Sequence, residues 1–272
     1  MIIDCHIHMG VIGPFNMPEA MVMASLAKYR IDFALVSNIE GVEVDGEQVL
    51  IPPEHQVPQQ LVNERTLRFV RAHPDRLGAL LWIKPTTEGC TPAFEALLAD
   101  NLDVVYGLKV HPFLSNISFG SPEVEKYIQL AEKYDLVVVS HTAIDDHSSP
   151  RVMYEVAQKF PRVNFVMYHM GLATDNQEAI ELISRLPNLF GDSCWVKPEA
   201  TLAAIRKCGS EKILFGTDNP INGPDTYNDP VFYNHYFDGL QNEIPQAAYE
   251  NFMFINAIRL FKLKQFTTQA RP

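Results

Sequence analysis

Asp4-Cys5-His6-Ile7-His8 sets two imidazoles two residues apart near the start of the chain. In an extended strand this spacing sends His6 and His8 to one face and Cys5 and Ile7 to the other. Two neutral imidazoles converging at a strand end suit a divalent cation, for which imidazole is a favoured nitrogen ligand. A pair of hydrogen-bonded core histidines accounts for His-x-His alone equally well. Three further polar residues close apolar runs in the same manner. His141 ends Leu-Val-Val-Val-Ser-His, His169 ends Phe-Val-Met-Tyr-His, and Asp218 ends Ile-Leu-Phe-Gly-Thr-Asp. Each taken singly reads as a strand-end loop residue. Together they describe a metal site, where a bound ion lowers the pKa of a water from about 15.7 to about 7 and so makes hydroxide at neutral pH.

Such residues need a framework that brings distant strand ends to one place. Short β-branched runs at 2–7, 32–37, 77–83, 104–110, 136–140, 163–168, 189–192 and 213–216 alternate with helix-like segments. The latter fall at about 18–29, 59–73, 92–100, 122–134, 150–160, 174–186, 198–208 and 245–261. Thr91-Pro92, Ser121-Pro122 and Ser149-Pro150 each put a hydroxyl at a helix N-cap and a proline at the first helical position, where its missing N–H costs nothing. Strand-helix alternation predicts a parallel sheet with crossover helices. No G-x-G-x-x-G or G-x-x-x-x-G-K-[ST] follows any strand, which removes the usual nucleotide-binding signatures of the open form. The expected fold is therefore α/β, a single (β/α)8 TIM barrel over residues 1–272, slightly distorted at most, with its active site at the C-terminal ends of the strands. Asn38-Pro58 and Thr217-Pro230 are long segments after strand ends and read as substrate loops or lids. For the first, rich in Glu, Gln and Pro, a disordered surface insertion is the alternative.

Composition narrows the partners. With 22 Lys+Arg against 33 Asp+Glu, the formal charge is −11, and no long basic run offers a footprint for phosphates, so nucleic acid is not an expected partner. At 47% hydrophobic and 20% charged residues, the chain can bury a large core. No apolar run approaches the roughly 18 residues of a membrane span. The N-terminus has no basic region of signal-peptide type, and the four scattered cysteines form no disulfide framework. The expectation is a cytoplasmic protein with reduced thiols, a small-molecule substrate, no membrane partner and scope for a homodimer.

The same residues carry a family resemblance. His-x-His on the first strand, histidines on the fifth and sixth and Asp218 on the eighth resemble the metal signature of the amidohydrolase superfamily. The surroundings are similar to its amidohydrolase-related branch, which includes aminocarboxymuconate-semialdehyde decarboxylase. Ile-Ile-Asp-Cys-His-Ile-His, Ala-His-Pro-Asp-Arg-Leu, Gly-Leu-Lys-Val-His-Pro, Ile-Leu-Phe-Gly-Thr-Asp-Asn-Pro and Asn256-Ala-Ile-Arg-Leu-Phe extend the likeness from Ile2 to about Leu263. The resemblance implies that His6, His8, His141 and Asp218 bind one divalent metal, zinc first and manganese or iron next. His169 is then a further ligand or a neighbour of the metal-bound water. Asp218 would shuttle a proton, and His169 or Lys109 would polarise the substrate. Asp4, expected on the histidine face, would orient an imidazole.

Lys109 decides between one metal and two. Binuclear members carry a carboxylated lysine at the end of the fourth strand; an unmodified Lys109 contacting an anion and a structural lysine are the other readings. The unmodified form is preferred. His111, two residues on, is a further candidate for metal or substrate contact, although Pro112 favours a plain exit from strand to loop. His73 reads as a helix terminus, and His55, His147 and His235 as loop or helix-end residues. Trp195 is assigned to packing, Cys5 to the helix side of its strand, and all cysteines to structure.

Three functions follow. The first is a metal-dependent hydrolase acting on a small, anionic amide, lactone or ester. The second is a non-oxidative decarboxylase of the same branch, and the third a non-catalytic metal-binding barrel. Beyond Lys109 and Lys197 no cationic residue closes a strand to hold a carboxylate, which tilts the reading toward hydrolysis. An intact set of costly inward polar residues argues against the third.

Overall fold

The computed structural model describes residues 1–221 and 235–268. Its strands are β1 (Ile3–Ile12), β2 (Phe15–Met17), β3 (Phe33–Asn38), β4 (Leu77–Trp82), β5 (Val105–Val110), β6 (Val137–Ala143), β7 (Phe165–Leu172), β8 (Leu189–Asp192) and β9 (Ile213–Leu214). From β1 and β3 onward each strand pairs parallel with the next, while β2 folds back antiparallel on β1. Left open, this sheet would end at β9 with unpaired backbone groups. Instead Cys5 N–H donates to Phe215 O at 3.0 Å, Asp218 N–H to His6 O at 2.7 Å and His8 N–H to Asn219 O at 3.0 Å. These bonds close the ring onto β1 and give the expected (β/α)8 barrel.

Around it lie α1 (Glu19–Lys28), α2 (Gln59–Ala72), α3 (Pro92–Ala99), α4 (Pro112–Ser115), α5 (Pro122–Lys133), α6 (Pro150–Lys159), α7 (Gln177–Arg185), α8 (Pro198–Cys208), α9 (Gln246–Glu250) and α10 (Asn256–Leu260). The three hydroxyl-proline starts behave as read. Thr91, Ser121 and Ser149 accept from the N–H of Phe94, Val124 and Val152 at 3.2, 3.3 and 3.4 Å. Such caps contribute about 0.5–2 kcal/mol each. The last segment, expected as one helix, is interrupted between α9 and α10 by a π-helical turn at Asn251–Ile255.

Burial forms two apolar layers. Outward strand residues such as Ile7, Val36, Leu81, Val110 and Phe165 pack against helix residues including Val22, Leu26, Phe69 and Phe94. Inside the ring, Ile3, Cys5, Phe33, Leu35, Leu80, Val137, Val139, Val166 and Leu214 form a second cluster, sealed by Ile258, Phe261 and Leu263 after β9. Cys5 therefore faces the barrel interior, contrary to strict alternation. The cause is a register shift between Asp4 and Ile7 where β1 pairs with β3, so that Ile3 and Cys5 and then His6 and His8 all turn inward. Further shifts between Ala79 and Leu80 and between His141 and Ala143 supply the remaining distortion.

The 38–58 segment is ordered. It contains short 3-10 turns at Ile39–Gly41 and Pro53–His55 and a bridge from Val44 to Leu50. Buried Glu43 anchors it by accepting from the N–H groups of Thr86 and Thr87 at 3.0 and 2.6 Å. The disordered alternative is thus set aside. Of the second long segment, residues 222–230 lie outside the described residues, as does the side chain of His235.

Candidate metal centre

Strand periodicity and the β1 bulge bring buried polar side chains together at the C-terminal end of the barrel interior. His6 and His8 come from β1, Ser37 from β3, Lys109 from β5, His141 from β6, His169 from β7, Asp192 from β8, and Asp218 from the turn after β9. The Nε2 atoms of His6 and His8 lie 3.2 Å apart, and both approach Asp218 Oδ1, at 3.3 and 3.0 Å. Lys109 Nζ is 3.4 Å from His6 Nε2 and sits over the Tyr168 ring at 4.3 Å, and Tyr168 in turn stacks on His6.

Each ligand candidate is held from behind. His6 Nδ1 and Asp192 Oδ2 are 2.8 Å apart, and Ser37 Oγ lies 2.9 Å from His8 Nδ1. The other oxygen of Asp192 accepts from the N–H groups of His169 and Cys194 at 2.7 and 3.3 Å. His169 Nδ1 faces the Cys194 carbonyl at 3.2 Å. The indole N–H of Trp195 donates to Asp218 Oδ2 at 2.9 Å, leaving Oδ1 turned to the histidines. His169, Trp195 and Asp218 have φ of 69°, 55° and 65°. A left-handed backbone at a non-glycine costs roughly 1–3 kcal/mol and persists only where neighbours over-determine it. Asn176 does so for His169, donating from Nδ2 to the carbonyls of His169 and Met170 at 3.1 and 2.9 Å.

Burial sets the protonation states. It pushes His6, His111 and His141 well below the ordinary imidazole range, lowers His8, and takes His169 down to about 4. Burial opposes the ionised form of Asp218, but the facing His6 and His8 hold its carboxyl well below the usual carboxylate range. Asp192 is pushed up by burial, so it and His6 share one proton across their contact. Burial also brings Lys109 down to about 8.

This donor set fits a divalent cation. Neutral imidazoles and an ionised carboxylate are the ligating forms. Tetrahedral bonds of about 2.0–2.2 Å place ligand atoms roughly 3.3–3.6 Å from one another, close to the spacing within His6, His8 and Asp218. A looser quartet of His6, His169, Cys194 and Asp218 has ligand atoms within 4.8 Å of one another. The tighter trio is the better match to bonding distances.

Most of the residues read from the sequence meet here, with differences in role. His141 stands one ring away, stacked on His111 at 4.1 Å and edge-on to His169 at 4.9 Å. His111 does not simply lead into a loop; its Nδ1 caps α4 by accepting from Leu114 N–H at 3.3 Å. The Asp4 carboxylate holds the backbone N–H of His6, at 3.0 Å, and the Thr217 hydroxyl. Asp192 occupies the position expected of Asp4, and the sequence signal was available: it closes the Leu189–Asp192 strand as Asp218 closes the next run. Trp195, expected to pack, also orients the Asp218 carboxylate. Lys197 is exposed and precedes α8, and His73 ends α2 against Phe69.

Lys109, His8, His111, His141, His169 and Asp218 line part of a cavity of about 150 Å³. Phe15, Ile39, Leu114, Leu172 and Ile221 line the rest. Ile39 comes from the first long segment and Phe15 from β2.

A closed parallel barrel with imidazoles and a carboxylate converging at its C-terminal mouth defines a metal-dependent barrel enzyme. The amidohydrolase family model matches residues 3–263, and the chain belongs to that family. No curated protein sequence matches it. Among solved structures it is similar to 2,6-dihydroxybenzoate decarboxylase from Rhizobium, at 14% identity and a TM-score of 0.70, covering 97% of this chain and 99% of that one. It is also similar to 5-carboxyvanillate decarboxylase from Sphingomonas paucimobilis, at 17% identity and a TM-score of 0.65, covering 88% and 82%. A 5-carboxyvanillate decarboxylase from Novosphingobium aromaticivorans, with bound manganese and a nitrobenzoic acid, gives 13% identity and a TM-score of 0.67 over 88% and 80%. At these identities the likeness is one of fold. No helix among the described residues is long and apolar enough to cross a membrane.

Proposed function

We propose that the protein is a metal-dependent, non-oxidative decarboxylase of a small aromatic or enoic acid. The observation that carries this reading is a cavity of about 150 Å³ whose lining combines imidazoles, a lysine and a carboxylate with five apolar side chains. A volume of about 150 Å³ is enough to admit a benzene ring. The tilt toward hydrolysis rested on the want of a cationic residue beyond Lys109 and Lys197; Lys109 lines the cavity, where one ammonium beside a bound ion is handle enough for a carboxylate. Decarboxylases of hydroxylated aromatic acids among the similar structures support the same choice.

His6, His8 and Asp218 would hold the ion, with His141 or His169 completing the set, zinc first and manganese or iron next. A bound ion would supply positive charge to hold the substrate's oxygens and offset the charge that develops on them. Unmodified Lys109 binds the carboxylate beside it, which implies one metal and no bridging carbamate. Loss of CO2 breaks the ring-to-carboxylate bond and leaves that carbon needing a proton. His169 Nε2 and Asp218 present lone pairs to the cavity, so either would first take a proton from solvent water and then pass it to that carbon. The apolar wall keeps water from the reacting carbon. The partner on this reading is a small acid, not nucleic acid or membrane; the protein is cytoplasmic, and sizing by light scattering tests a homodimer.

The experiment is a parallel screen of the zinc- and manganese-loaded protein on hydroxybenzoates, enoic acids, lactones and amides, following CO2 release and ester or amide cleavage. CO2 release from the acids alone supports the proposal. Cleavage of a lactone or amide without CO2 release replaces it with the hydrolase reading.

A further inference from the structure

Two histidines of the same cavity are locked by the backbone into opposite tautomers. His169 Nδ1 faces a carbonyl oxygen, that of Cys194, which can only accept. Its ring proton therefore sits on Nδ1, and Nε2 presents a lone pair. His111 Nδ1 instead faces a donor, the N–H of Leu114, at 3.3 Å. A ring nitrogen that accepts a backbone N–H carries no proton, so the proton of the neutral ring sits on Nε2. The ring has little freedom to change this. Trp82 stacks on it at 5.8 Å and 27°, and His141 at 4.1 Å and 12°. With two rings stacked on it and Nδ1 tied to α4, the Nε2 edge is what we take His111 to offer to the cavity it lines.

We propose that His111 is a substrate-binding residue whose Nε2–H donates to an anionic oxygen of the substrate, alongside Lys109. Where the other tautomer-fixed imidazole, His169, presents a lone pair, this neutral donor selects for a ligand that presents an acceptor at His111 and against one that presents a donor there. The polarity of His111 follows from the Leu114 bond alone. That the acceptor is the carboxylate of an aromatic acid rests on the decarboxylase reading above.

The test uses His111→Asn and His111→Asp. Both side chains keep an oxygen able to cap α4, so both are expected to fold, which circular dichroism and melting check. Calorimetry then compares benzoate with its uncharged isostere benzamide on the zinc-loaded protein. The wild type should prefer benzoate. His111→Asn should weaken benzoate by about 10–100-fold, the worth of a hydrogen bond to a charged group. His111→Asp should weaken it further and reverse the preference, because a carboxylate accepts from the benzamide N–H. Equal losses for both ligands, or no change in either variant, would overturn the proposal, and so would a wild type blind to benzoate. A benzoate preference that reverses in a protein that cleaves lactones and releases no CO2 would uphold His111 and sink only the decarboxylase reading.

Discussion

The two ends of the barrel interior are built by the same strands and differ in kind. At the N-terminal end β1, β3, β6 and β9 contribute Ile3, Phe33, Val137 and Leu214, which pack without a polar atom to satisfy and are sealed by Phe261 and Leu263. A few residues further along, the same or neighbouring strands contribute His6, His8, Ser37, Lys109 and His141, each needing a partner because each is buried. Stability can be drawn from the first end at roughly 1.5–3 kcal/mol per buried apolar side chain. The second end costs desolvation and is arranged around lone pairs that face one another. Interiors of this kind separate holding the fold from doing chemistry along a single strand.

Substitutions can break that division. The largest effect is expected from Asp218→Asn, which removes the carboxylate proposed to hold the ion. Turnover should fall by about 10²–10⁴-fold, the usual span for losing a proton-transfer group, and bound metal should drop with it. The metal-free variant should also melt lower, since His6 and His8 hold Asp218 well below the usual carboxylate range and its charge therefore favours the fold at neutral pH; elemental analysis, rates and a thermal melt check all three. Leu35→Ala, at the apolar end, should do the converse. It should cost about 2–5 kcal/mol in urea unfolding, with activity per folded molecule little changed. If activity falls with stability, the two ends are coupled after all.

Asp192→Asn sharpens the boundary itself, because Asp192 touches His6 and no substrate. Metal affinity, measured by competition with a chelator, should fall about 10–100-fold while the apolar end is undisturbed. The smallest effect concerns pH. Burial lowers Lys109 from 10.5 to about 8, so below about pH 8 the metal-free fold bears the cost of a buried ammonium. Between about 8 and 10.5 the unfolded chain binds the proton and the native one does not, so native stability rises with pH across that window. Lys109→Met should therefore be more stable than wild type at pH 7, with an advantage that shrinks by pH 10. Denaturant titrations showing an advantage that grows with pH would contradict this burial.

Much of this was readable before any coordinates. Eight apolar runs, three hydroxyl-proline caps and polar residues closing the runs were enough for a barrel and for a site containing His6, His8, His169 and Asp218. Face assignments within β1 were not readable, because alternation assumes an unbroken register. The bulge between Asp4 and Ile7 arises where β1 must pair with β3 on one side and accept the chain after β9 on the other. It moved Cys5 inward and left Asp4 to bind backbone. The contact of Trp195 with Asp218 was not readable for a similar reason, since its indole reaches that carboxylate from a left-handed turn that no local pattern announces.

By itself, then, the sequence determined which side chains could act, because residue type and strand-end position are local properties and an imidazole at the close of an apolar run is costly unless used. The tertiary structure alone decided what each one does. Ring closure set the 3.0–3.3 Å spacing of the two histidines and Asp218. The bonds from Asp192, Ser37, Trp195 and Leu114 then fixed which atom of each side chain faces the cavity. Those partners come from strands and turns far apart in the chain, and only a closed barrel brings them within reach of one another.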